Sequence, residues 1–191
     1  MIILAKIESI IFHPFVFAPL TFLLLLTHAN HTLAVNIVAF TIVVIATVAV
    51  PLCHVIYMKK HGLTASVDIP EKERRVWPFL LSILNYVIAL LILWKLQASR
   101  PILVLMWAYA FNTAIATIIT RYWKISIHGM AFGGPVAALG QVISVNFYWT
   151  LPLMGLILFS RVKLMAHTPL QVVAGTFLGF ILTYIHFKLL M

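Results

Sequence analysis

Acidic residues are nearly missing from this sequence. Only Glu8, Asp68, Glu71 and Glu73 occur among 191 residues, and none occurs in the 118 residues after Glu73. That stretch offers no carboxylate pair for glycoside hydrolysis and no oxygen cage for Mg²⁺ or Ca²⁺. It also lacks the acids of a two-metal phosphatase and a local acid for a serine triad. Cysteine is as scarce. Cys53 stands alone, which excludes an intrachain disulfide framework and a thiolate metal cluster. Charge of either sign is low, 9% of residues against about 25% in an ordinary soluble domain. No basic domain stands outside the apolar segments, so nucleic acid is not an expected partner. No small-residue cleavage site follows the first apolar run, which reads as a spanning helix or an anchor.

In place of charge there is hydrocarbon. Hydrophobic residues make up 63% of the chain, more than a soluble fold of this length can hide from water. A bilayer span needs roughly 17–25 mainly apolar residues. Runs of that kind cover residues 10–27, 33–57, 79–96, 102–120 and 168–190, with shorter ones over 129–145 and 147–159. The expected fold is all-α: a polytopic transmembrane helix bundle of six to seven spans, forming a single transmembrane domain over residues 1–191. Trp77, Trp94, Trp107, Trp123 and Trp149 mostly flank run ends, as interfacial anchors do. Two glycine pairs, Gly129/Gly133 and Gly175/Gly179, permit close helix contact, either within the chain or across a homodimer.

Polar residues gather in three loops, 58–78, 121–129 and 160–168. If all seven runs cross the membrane, the clusters 72–75, 121–128 and 161–167 share one face. Single basic residues at span ends are explained by snorkelling and topology. Three clusters with two histidines suggest an anion held by cations, with histidine as nucleophile and acid. Phosphoryl transfer fits, because its transition state spreads charge over oxygens that Arg and Lys can stabilise. The net charge of +9 has two readings: anionic lipid headgroups as partners, or topological retention of loops.

Residues 160–175, SRVKLMAHTPLQVVAG, resemble the third signature of the type 2 phosphatidic acid phosphatase family. Ser160, Arg161 and His167 fall at its spacing, and Gln171 stands where the family has Asp. Residues 124–129, KISIHG, resemble the second signature through Ser126 and His128. Residues 68–78, DIPEKERRVWP, resemble the first through Lys72, Arg75 and Pro78. FHPF and WKISIHG are similar to a bacterial subgroup of that family. The resemblance implies that His167 attacks phosphorus and His128 protonates the leaving oxygen. Lys72, Arg75 and Arg161, with Ser126 and Ser160, would hold phosphate oxygens. Gln171 would orient His167, and no metal or other cofactor would be needed. Glu71 or Glu73 could serve in place of the missing Asp. The implied function is a metal-independent lipid phosphatase acting on a lipid monophosphate or diphosphate among the membrane lipids. The alternative is a catalytically silent relative that binds anionic lipid or scaffolds a complex. A small transporter is disfavoured because Asn36, Asn85 and Asn112 are scattered.

His128 and His167 have a plain alternative as interfacial histidines bonded to water or a carbonyl. His13, His28, His31, His54, His61 and His186 are expected to lack catalytic company. Seven-span counting puts ten Lys and Arg on the face of the clusters and three on the other. Seven against three remain after Lys72, Arg75 and Arg161 are discounted. The positive-inside rule then makes the cluster face cytoplasmic, in a bacterial plasma membrane if the resemblance holds.

Overall fold

A computed structural model describes residues 1–29, 31–66 and 68–191. Of the polar loop 58–78, Val67 lies outside the described residues. Among the described residues there are helices and turns but no strand. Six helical segments are long and apolar enough to cross a membrane: Ile2–Leu26, Leu33–Lys60, Lys72–Lys95, Arg100–Tyr122, Val145–Lys163 and Pro169–Leu190. The chain is thus a multi-pass helical membrane protein. It divides into two compact units, one of residues 1–28 and 125–191, the other of residues 29–124.

The first unit contains α1 (Ile2–Ile11), α2 (Pro14–Leu26), α7 (Ile127–Val142), α8 (Met154–Lys163) and α9 (Pro169–Leu190). Its first span breaks between α1 and α2, where Pro14 opens a new helix and His13 caps it: His13 Nδ1 accepts from the Phe15 N–H at 3.1 Å. The centre of the unit is α7. Twelve of its sixteen residues are buried, so other helices shield it rather than lipid. At about 1.5 Å per residue it measures roughly 24 Å, short of the ~30 Å hydrocarbon core.

Helices α7 and α9 pack backbone to backbone. A Cβ on Gly129 would meet Val172 and Thr176; one on Gly133 would overlap the Thr176 carbonyl; one on Gly175 would overlap that of Ser126. Gly179 sits equally close to Met130. Both glycine pairs are therefore spent on a contact inside the chain. The pairings advance in the same direction on both helices, so α7 and α9 run parallel. Phe17 meets Phe132 four residues after His13 meets His128, so α2 runs the same way. Phe12, Phe132, Val136, Ile157 and Val172 form the apolar core between these helices. The segment returning from α7 to α9 is a 3₁₀ stretch, Val145–Leu153, followed by α8. Tyr148 packs its ring on Gly140.

The second unit contains α3 (Leu33–Val44), a π-helical turn Ile45–Ala49, α4 (Val50–Lys60), a 3₁₀ turn Lys72–Arg75, α5 (Val76–Lys95) and α6 (Arg100–Tyr122). Pro51 follows the π turn and has no N–H to donate. Asn85 Nδ2 on α5 donates instead to the Ala46 carbonyl at 2.6 Å, bonding a backbone acceptor across two helices. Helices α5 and α6 form a hairpin with Tyr86 and Tyr109 edge to face, 5.8 Å between centroids.

Candidate functional site

Because α7 and α9 are parallel, their N-terminal ends adjoin. The Ser126 N–H donates to the Gln171 carbonyl at 3.3 Å, tying the two ends together. Each end presents backbone N–H groups without intrahelical partners, a setting that favours an anion. Ser126 caps α7, its Oγ accepting from the Gly129 N–H at 3.3 Å. That leaves its hydroxyl hydrogen able to donate elsewhere. His128 is the second residue of α7 and is buried.

Thr168 caps α9, and Gln171 closes the capping box from the third helical position. His167 is thus one residue before the cap, outside the helix. It meets Gln171 not as two positions on one helical face but because the capping box folds the glutamine back. That box also fixes a tautomer. The Thr168 backbone N–H can only donate, and it points at Gln171 Oε1, 3.1 Å away. This atom must be the carbonyl oxygen. It also lies 3.1 Å from His167 Nδ1, so Nδ1 carries a proton and donates. In neutral His167 the lone pair then sits on Nε2.

Arg161 lies in the last turn of α8 and is 1% exposed. Its Nη1 donates to Ser9 Oγ of α1 at 2.6 Å. A buried guanidinium is costly unless its donors are met, and α1 supplies one acceptor. The elbow from α8 to α9 is a Schellman turn: Ala166 N–H donates to the Arg161 carbonyl and Met165 N–H to that of Val162. Met165 takes the left-handed position, φ 52°, where glycine is usual. His167 N–H donates to the Arg161 carbonyl as well, at 3.3 Å, so arginine and histidine are joined through one short backbone loop. Ser160 Oγ donates to the Ile157 carbonyl at 3.0 Å, which commits its hydroxyl hydrogen to the helix.

Ser126, His128, Ser160, Arg161, His167 and Gln171 all belong to the first unit. Lys72 and Arg75 belong to the second, where each bonds nearby backbone. Arg75 Nε donates to Ile69 O at 2.7 Å and Nη2 to Asp68 O at 3.1 Å. Lys72 Nζ reaches the last-turn carbonyls of α6, Arg121 and Tyr122, at 3.5 and 3.4 Å. Its ammonium is 4.0 Å from Glu73, a weak surface pairing.

Two residues beside these were not singled out by the sequence. Ser9 holds Arg161. His13 lies edge to face with His128, ring centroids 5.0 Å apart, contrary to the expectation that it lacks such company. The signal available was FHPF itself, since His before Pro marks a helix start. Nothing in the sequence pairs that start with residue 128. No family model, curated protein or solved structure matches this chain.

Proposed function

We propose that the chain is a membrane phosphoesterase that hydrolyses a lipid monophosphate or diphosphate through a phosphohistidine, without a metal. The observation that carries this reading is the joining of two helix N-termini by the Ser126–Gln171 bond, with His128 on one, His167 at the other and Arg161 buried one turn away. Donors so arranged suit the negative oxygens of a phosphoryl group. In the proposed reaction His167 Nε2 forms a bond to phosphorus as the P–O bond to the leaving group breaks, an ester bond in a monophosphate and an anhydride bond in a diphosphate, and His128 gives its proton to the leaving oxygen. Water then attacks the phosphohistidine, losing a proton to His128, and phosphate leaves as the P–N bond breaks. Ser126 and Arg161 would hold the oxygens throughout. The substrate would be membrane-borne as the chain is, and the positive-inside count, which takes α7 as a seventh crossing, favours the cytoplasmic face for the reaction.

The test is phosphate release from a panel of lipid phosphates in detergent, with EDTA present. His167→Ala should abolish release, and His128→Ala should reduce it most for substrates with poor leaving groups. Full activity in His167→Ala sinks the proposal.

One observation favours a second reading, a silent relative that binds anionic lipid. Gln171 can fix the His167 tautomer but brings no charge to stabilise imidazolium. Under that reading wild type releases no phosphate from any lipid in the panel, yet retains them.

A further inference from the structure

A groove of about 600 Å³ lies along α8 and against the start of α9, lined by Gly155, Leu158, Phe159, Val162, Lys163, Met165 and Pro169. Its volume falls in the range of sites that hold small organic ligands, roughly 300–1,000 Å³. Positions 155, 158, 159 and 162 share one helical face. The groove is apolar along its length and cationic at the Lys163 end.

Two residue choices along it run against backbone preference. Of the eight glycines, Gly62 takes a left-handed φ of 69°, and six others press on a neighbouring helix, loop or ring. Gly155 alone does neither: a Cβ there would meet nothing within 4 Å, although glycine costs a helix about 1 kcal/mol relative to alanine. The absence of a side chain leaves room for a close approach at this point of the groove. Met165 is the reverse. It occupies a left-handed position that glycine fills without strain, and its long apolar side chain, 92% exposed, stands at the rim of the groove. The groove is open at the Gly155 end and bordered by an exposed apolar side chain at the other.

The dimensions say what enters. Helix α8 has ten residues, about 15 Å, which is half of the ~30 Å hydrocarbon core. Lys163 lies in its last turn, at the polar end, and Gly155 in its first turn, near the bilayer middle. The groove therefore has the reach of one leaflet. We propose that it binds one acyl chain of an anionic phospholipid from that leaflet, with the lipid phosphate at Lys163. None of its lining residues is among the histidine-site residues, and Arg161 and His167 are themselves buried, so the groove does not depend on any reaction there.

The experiment uses the whole protein in nanodiscs containing a phospholipid with a photoactivatable diazirine near the end of one acyl chain. The probe is either phosphatidylglycerol or phosphatidylcholine at equal mole fraction. Wild type should label within residues 154–165, several-fold more with phosphatidylglycerol. Gly155→Trp and Val162→Trp fill the groove from two points, and each should lose most of that labelling at unchanged thermal melting. Lys163→Gln should keep the labelling and lose the headgroup preference. Undiminished labelling in a melting-competent tryptophan variant would overturn the proposal, as would equal labelling of wild type by both lipids. So would efficient disulfide formation between copies carrying Val162→Cys in a Cys53→Ser background at high lipid dilution, which would make the occupant a second chain.

Discussion

At the residue scale, Gln171 has two tasks that can be separated. Its carbonyl oxygen accepts from the Thr168 N–H and from His167 Nδ1, so it both caps α9 and sets the imidazole tautomer. Gln171→Leu removes both acceptor bonds. It should lower stability by about 1 kcal/mol, as cap losses do, and reduce phosphate release further than that loss explains. Gln171→Asp is shorter but brings a charge that can hold an imidazolium. If the proposed hydrolysis is limited by the missing carboxylate, turnover rises; if Glu71 or Glu73 already serves, the change does little and removing that Glu does much, and comparable rates in all of these variants would show that His167 needs no charged partner. The spacing of His167 and Gln171 was readable from sequence, but the reason for their contact was not. It depends on where the helix starts, and sequence patterns locate helix ends less well than helix bodies. His13 was illegible for a different reason. Its neighbour His128 is 115 positions away, and only the parallel packing of α2 on α7 brings the rings together.

At the element scale, the glycine pairs of α7 and α9 predict a sharp contrast. Gly133→Ala forces a methyl into the Thr176 carbonyl and should cost about 1–3 kcal/mol as overpacking, read from thermal melting in detergent. Gly155→Ala fills open space and should be neutral or slightly stabilising. Equal losses in the two variants would mean that α7 and α9 do not touch through these residues. In the other unit, Asn85→Leu leaves the Ala46 carbonyl without its donor, inside a segment that crosses the membrane. A loss of about 1–3 kcal/mol is expected, measurable in the same way, and Asn85→Gln should recover little because its longer arm overshoots. The six spans follow the hydropathy of the sequence closely, yet the first begins at Ile2 rather than residue 10. Lys6 and Glu8 are both carried within α1, a helix set off from α2 by the Pro14 break. The π turn before Pro51 was also invisible, since it is a response of the backbone to packing rather than a composition.

At the scale of the whole molecule, the positive-inside count makes a testable assignment of the side of the membrane that the loop 58–78 faces. A single cysteine at Leu63, exposed just after α4, tests it in a Cys53→Ser background. Leu63 is preferred to Gly62, whose φ of 69° disfavours a side chain. An impermeant maleimide applied to intact cells should leave it unlabelled if the positive-inside count holds; strong labelling from outside reverses the assignment. The apolar bulk, helical class and multi-pass character were all legible, because a bilayer imposes them on composition and run length. The status of residues 129–145 was not, since a short apolar run reads alike whether lipid or protein surrounds it. The finding that α7 is enclosed by protein over twelve of its sixteen residues has a consequence for the site. Lipid-facing helices must tilt, kink or deform the bilayer when membrane thickness changes. A helix wrapped in other helices owes nothing to that thickness, so the end bearing His128 keeps its partners in a thin membrane and in a thick one. The spans around α7 act as a gasket that absorbs the mismatch.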